Sequence, residues 1–324
     1  MPPGSPRASS WVLTACGCEG AAPAARGTLS APMAQLREIK KRMGAVKTIQ
    51  RITKTMQMIA TAKFTASLAR AKNSRPYTDT IRELVAKVAS QAGDASHPLL
   101  ETPSGAGKEL VLVISSDRGL CGAYNSNVLR TAGKLLAELR AGGREIVLDA
   151  SGRKALAFFK YQKQEISAKH SVGDRPQYAA VEEIAQGYID RFVAGEFSSV
   201  KVVYMRFIST ARQRPEVMQL LPLSLPKADA AAAAGKGTVS NFEFSPSAPE
   251  LLGDLLPRSV KVSLYQAFLD AVVSENVMRM VAMKAATDNA GGLSRTLKRS
   301  YNRARQARIT TELTEIVAGV EALK

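Results

Sequence analysis

The sequence has 324 residues, 45% of them apolar and 23% charged, so a packed core is within reach of its composition. Lys and Arg outnumber Asp and Glu by 45 to 28, a formal net charge of +17, which directs attention to an acidic partner, a nucleic acid or an anionic membrane. No run of about 18 uninterrupted apolar residues exists, so no transmembrane helix is expected. Three Cys and two His exclude a disulfide scaffold, leave little for a zinc site, and restrict His-based catalysis to His97 and His170.

Residues 1–32 are rich in Pro, Ala, Gly and Ser and show no periodicity. Three readings are open: a disordered extension produced by a start assigned too early, with Met33 as the true first residue; a targeting (transit) segment; or a lipoprotein signal ending at Cys16. The apolar stretch at Trp11–Leu13 is short for the third. Cys16 and Cys18 read as incidental thiols rather than a metal site.

From Met33 the apolar positions are Leu36, Ile39, Met43, Val46, Ile49, Ile52, Met56 and Ile59, steps of three and four that predict a helix with a narrow seam. About 40 residues without Pro allow a helix of roughly 60 Å. A break or kink is expected at Asn73–Pro76, with a further helix over about Tyr77–Ala92 and a loop over Gly93–Lys108. The middle reads as α/β. Strands are expected over 109–115, 145–149, 165–169 and 200–208, and helices over 125–140, 154–161 and 178–193. That alternation predicts a mostly parallel sheet with helices on its faces. Residues 227–240 are Ala- and Gly-rich and read as a mobile loop.

From about Val260 to Lys324 there is no Pro, and Leu293, Leu297, Tyr301, Ala304, Ile309, Leu313, Ile316, Val320 and Leu323 again fall at helical spacing, with Gly291-Gly292 as the weak point. Neither terminal stripe can be buried alone. The fold expected is therefore a central Rossmann-like α/β domain plus a long antiparallel coiled coil made by the N- and C-terminal helices. The segments are 1–32 (extension), 33–92, 108–245 (α/β) and 250–324. Residues 34–90 hold 13 Lys and Arg against Glu38, Asp79 and Glu83. A face of one sign points to a negative environment, with plain solubility as the bland alternative.

Asp117-Arg118-Gly119-Leu120-Cys121-Gly122 lies between a strand and a helix, where phosphate loops occur, but its Gly-x-x-Gly spacing matches neither nucleotide fingerprint. A tight turn packing strand against helix is the stronger reading. Cys121 has no evident His partner for a nucleophilic role. Glu182 and Glu183 are adjacent on a helix and point apart. Met278, Met280 and Met283 read as packing. No nucleic-acid reader motif accompanies the basic runs. The residues alone describe a basic coiled coil carrying an α/β domain, a mechanical or scaffolding part rather than an enzyme.

Five stretches resemble the gamma subunits of F-type ATP synthases: Ile39–Lys63, Ser116–Asn125 (SDRGLCGAYN), Gln219–Leu223 (QLLPL), Ser274–Asn289 (SENVMRMVAMKAATDN) and Tyr301–Gly319 (YNRARQARITTELTEIVAG). They fall in the family's order from Met33 to the end, and Met33-Ala-Gln-Leu-Arg-Glu-Ile is similar to the family's usual start. The resemblance implies a non-catalytic central-stalk rotor without cofactor or metal. Its terminal helices would turn inside a ring of alpha and beta subunits. Its α/β foot would stand, with epsilon, on the membrane c-ring, which would be its only membrane contact. No nucleic acid is implied.

The resemblance places the shaft-to-beta torque or catch contacts at Met56, Arg279, Gln306, Thr310 and Glu312, with Asp117, Arg118, Gly119, Cys121 and Gly122 as a family motif turn. Core packing is the competing reading for Met56. The regulatory Cys pair of chloroplast members is lacking, since Cys121 is the only Cys after the N-terminal segment. No dithiol switch of that kind is expected. The implied location is the cytoplasmic face of a bacterial inner membrane, or an organelle inner membrane if residues 1–32 are a transit segment. A basic coiled-coil nucleic-acid-binding protein, and a nucleotide-dependent enzyme acting at Asp117–Gly122, are the readings from other classes.

Overall fold

The computed structural model describes residues 32–91, 97–100, 108–223 and 248–323. The expectations for residues 1–31 and for the 227–240 segment lie outside these. The elements are α1 (Pro32–Gln91), β1 (Lys108–Ile114), α2 (Tyr124–Ala141), β2 (Ile146–Ser151), α3 (Arg153–Tyr161), β3 (Ala168–His170), α4 (Tyr178–Val193), β4 (Phe197–Phe207), β5 (Gln213–Leu221) and α5 (Ala248–Glu321). The five strands form one sheet in the order β3-β2-β1-β4-β5. The β3–β2, β2–β1 and β1–β4 pairs are parallel, and β5 closes the edge antiparallel to β4.

β1 is the centre of the sheet because it is apolar on both sides. Leu110, Leu112 and Ile114 join one core with Val200, Val202, α4, the end of α1 and the first half of α5. Val111 and Val113 join the other with α2, α3 and Met205. A strand covered on both faces reads as an unbroken apolar run, which is why it was legible. β5 was not expected as a strand. It is a half-exposed edge containing Pro215, and an edge tolerates a residue with no N–H to donate. The third strand is also shorter than expected, three residues at 168–170.

Two compact units are present: residues 43–298, and a smaller unit of the described residues up to 42 together with those from 299 onward. The larger unit holds the sheet. In it, α1 and α5 pack side by side and run in opposite directions. Arg82 Nη2 donates to Ser263 Oγ (3.3 Å), Arg75 Nη2 reaches Asp270 (3.4 Å), and Thr287 Oγ1 donates to Thr53 Oγ1 (2.8 Å). A third apolar cluster, Ala71, Leu269, Val273 and Val277 with Phe207, lies between them. Gly291 gives α1 room, since a Cβ there would come within 3.2 Å of Gln50 Nε2.

Two expectations about α1 are corrected. It does not break at Asn73–Pro76 but continues through Pro76. An internal Pro costs a helix about 3 kcal/mol, yet this stretch is pinned by packing. Ala71, Thr78, Ile81 and Val85 are buried, and Arg75 Nη2 donates to the Phe207 carbonyl (3.0 Å). The seam also departs from the apolar pattern. Beyond Val46, up to Ala60, the half-buried or buried positions are Gln50, Thr53, Met56, Gln57 and Ala60, three of them polar. Ile49, Ile52 and Ile59 are instead more than half exposed, at 51%, 51% and 52%.

α5 begins ahead of Val260 and carries Pro257 inside it. In the smaller unit Leu36 is buried and Tyr301, Ala304 and Arg308 are half-buried, whereas residues 309–323 are exposed throughout. No helix among the described residues is long and apolar enough to cross a membrane.

Candidate interaction site at the motif turn and the terminal helices

The turn after β1 is a hydrogen-bonded knot. Ser116 Oγ donates to the Arg118 carbonyl (2.7 Å), and Asn125 Oδ1 accepts from the Ser116 N–H (3.1 Å). Asn125 Nδ2 donates to Cys121 Sγ (3.1 Å), so the buried thiol is a packing and hydrogen-bonding group. Asp117 Oδ1 caps the first N–H of α3, at Arg153 (3.0 Å). Gly152, at φ 92, lets β2 approach this knot. A Cβ there would lie 2.3 Å from the Ser115 carbonyl oxygen. Gly122 adopts φ 57, as glycine allows, but Leu120 does so at φ 64, an uncommon backbone for a bulky residue, with its side chain 59% exposed.

α/β sheets bind ligands in the crevice beyond the carboxyl ends of their parallel strands. Here that crevice is filled. Phe268, Ala271, Val272 and Glu275 of α5 meet Ser115, Asp117, Ser151 and Gly152, leaving a cavity of about 20 Å³. That holds about one water, against several hundred Å³ for a nucleotide-sized ligand. A larger space, about 800 Å³, lies between α1, the β4–β5 hairpin and α5. Among the charges that line it, Arg75 pairs with Asp270 and Arg206 with Glu216.

Arg279 ties α5 to the turn. Its Nη2 donates to Glu275 Oε1 (2.6 Å) and to the carbonyls of Arg118 (3.3 Å) and Gly119 (3.4 Å), while Nε approaches Gly119 O at 3.5 Å. The Arg279 and Glu275 side chains are 12% and 10% exposed. Burial pushes the Glu275 carboxyl up, opposed by the Arg279 guanidinium. Nearby, Lys63 of α1 pairs with Asp174 at 2.5 Å, and that hydrogen bond holds the Asp174 carboxyl below its usual range.

The residues singled out from the sequence thus fall into separate groups. Arg279 and the turn residues Arg118 and Gly119 are brought together, which the sequence reading did not foresee. The Glu275–Arg279 spacing of four on a helix was the available signal. Met56 is half-buried on α1 in the larger unit. Gln306, Thr310 and Glu312 belong to the smaller unit, all exposed. Thr310 Oγ1 donates to the Gln306 carbonyl (3.0 Å), and Glu312 accepts from Arg308 Nε (2.6 Å). Around them Ile309, Leu313, Ile316 and Val320 are 44–64% exposed.

Comparison with known proteins agrees with this layout. A family model described as ATP synthase matches residues 35–323. The ATP synthase gamma chain of Rhodopirellula baltica is 41% identical over 295 residues, covering 90% of this chain and all of that one. The ATP synthase gamma chain of Glaesserella parasuis is 40% identical over 292 residues with the same coverage. Among solved structures, a chain of the Euglena gracilis mitochondrial ATP synthase (OSCP/F1/c-ring, rotational state 3) has a TM-score of 0.59 at 18% identity, covering 90% of this chain and 95% of its own. A chain of the rotor of the same enzyme has a TM-score of 0.58 at 19% identity, covering 86% and 99%. Matched along nearly all its length to full-length relatives well above 30% identity, the chain belongs to the ATP synthase gamma chain family.

Proposed function

We propose that the chain is the central-stalk rotor subunit of an F-type ATP synthase. As a gamma chain it is a subunit of that complex and not its catalytic subunit. α1 and α5 pair as an antiparallel coiled coil and turn inside the ring of alpha and beta subunits. The Rossmann-like sheet domain, with epsilon, stands on the c-ring. Ion flow through the c-ring turns the chain, and the turning shaft drives each beta catalytic site through its states in sequence. The chain is peripheral to the membrane, on the cytoplasmic face of a bacterial inner membrane, and touches the membrane only through the c-ring.

The observation that carries this reading is the pair of apolar stripes left uncovered on helices whose partners are otherwise satisfied. One is Ile49, Ile52 and Ile59. The other is Ile309, Leu313, Ile316 and Val320. Exposed apolar surface at regular helical spacing marks a protein contact. The basic side chains beside the first stripe, Lys47, Arg51 and Lys54, suit acidic partner loops. In the same reading Met56, Arg279, Gln306, Thr310 and Glu312 meet beta subunits. Gln306 and Thr310 offer hydrogen-bonding groups from one face of α5, and Arg279 offers a charged donor.

The test is co-purification of the tagged chain from solubilised membranes of its source. Recovery with alpha, beta and epsilon subunits, and ATPase activity that is lost on depletion of the chain, is the expected result. Recovery with nucleic acid and no ATPase overturns the reading in favour of a basic coiled coil that binds nucleic acid.

A further inference from the structure

The reading of Arg279 as a contact to a beta subunit meets an obstacle in the structure: its side chain is already engaged and largely covered. All of its hydrogen bonds described above run from Nε and Nη2, to Glu275 and to the Arg118 and Gly119 carbonyls. A guanidinium has five N–H donors in a fixed plane. Securing the Nε/Nη2 edge therefore orients the Nη1 edge, which remains for a further acceptor. Of the acceptors on the secured edge, Glu275 is the only charged one and makes the shortest bond, at 2.6 Å.

We propose that Glu275 is the positioning residue of this site: it fixes the Arg279 guanidinium so that one edge clamps the 117–122 turn to α5 while the other faces a carboxylate of the partner. The proposal rests on the reading that Arg279 meets a beta subunit. The clamp has a visible consequence at its far end. The carbonyls of Arg118 and Gly119 that Arg279 holds immediately precede Leu120, which has a left-handed backbone (φ 64) and a 59% exposed side chain. The knot behind it includes Cys121, buried to 2%. Release of the clamp frees the turn and uncovers that thiol. Glu275 is costly to retain for packing alone, because a buried carboxylate without a partner is strongly unfavourable. Its burial is offset by Arg279 at one helical turn's distance.

The experiment uses the assembled complex carrying the full-length chain as wild type, Glu275→Gln or Arg279→Lys. Two quantities are read: the maleimide modification rate of Cys121, located by mass spectrometry, and the ratio of coupling ion pumped to ATP hydrolysed. The thermal midpoint of each complex is recorded alongside. Loss of one charge-assisted hydrogen bond should raise the Cys121 rate about tenfold or more through local opening, with an unchanged midpoint, in both variants. The pumping ratio should fall in both.

An unchanged Cys121 rate in Glu275→Gln overturns the proposal. So does a raised rate with an unchanged pumping ratio, which leaves Glu275 a structural group only. If Glu275→Gln lowers the midpoint as a whole, Arg279→Lys, which keeps the charge and loses the planar fork, decides in its place. A fall in pumping ratio with Arg279→Lys alone leaves the beta contact standing and removes Glu275 from it. No effect of Arg279→Lys on either quantity removes the beta contact itself.

Discussion

The sheet and the last turns of α5 are built from similar fractions of apolar residues and treat them in opposite ways. In the sheet, Leu110, Leu112, Val113, Val200 and Val202 are fully covered, and the helices that cover them come from this chain. Over 309–323 every described residue is exposed, including Leu313 and Ile316 at 58% and 64%. The first region carries its own core. The second has the periodicity of a packed helix and, among the described residues, nothing that covers it. Apolar periodicity therefore says that a face will be covered, but not by which molecule.

The sharpest way to break this contrast is a large-to-small substitution within the sheet core. Phe159→Ala, at a side chain with no exposure in the α2–α3 core, should cost about 3–5 kcal/mol in urea unfolding of the chain. Next is Gly152→Ala. At φ 92, with the Ser115 carbonyl 2.3 Å from the new methyl, it should cost about 3 kcal/mol or more and shift the thermal midpoint accordingly.

A smaller effect is expected at the Lys63–Asp174 pair, whose side chains are 42% and 38% exposed. Solvent screening limits Asp174→Asn to about 0.5–1 kcal/mol at neutral pH. Because the folded pKa is depressed, this stabilisation is present above the unfolded value of 3.8 and is lost as pH falls through the lower folded value. Denaturation curves of wild type and variant should differ at pH 7 and converge in strong acid. A difference that survives there would assign the pair a packing role.

The smallest effect is expected at Leu313→Ala, within about 0.5 kcal/mol for the chain alone. In the assembled complex the same change should weaken retention of the chain during purification. Equal retention of the variant would mean that this stripe is not the covered surface.

Much of the α/β domain was legible in advance for local reasons. The run Leu110–Ile114 could only be a strand covered on both faces, and Gly142-Gly143 ended α2 where it was expected to end. The edge strand β5 was not legible, because Pro215 and half-exposed positions read as loop. The site was legible residue by residue but not as an arrangement. The motif turn and Arg279 were both singled out, yet they are separated by about 160 residues and met only through the docking of α5 on the sheet.

What the sequence determined by itself was two long terminal helices around a strand–helix alternation that ends before the edge strand β5, together with family membership, since these rest on short-range periodicity and on motifs readable in order. The tertiary structure alone decided which side of α1 is covered. Ile49 and Ile52 were the natural choice by polarity, but contact with α5 selects Gln50 and Thr53, because Thr287 and Gly291 opposite them admit small and hydrogen-bonding groups. It also decided that α1 passes Pro76 unbroken, since burial of Ala71, Thr78 and Ile81 outweighs one lost helical hydrogen bond. Both outcomes follow from one physical fact: a residue's own preference is worth a kcal/mol or so, and the surface it meets after folding is worth several.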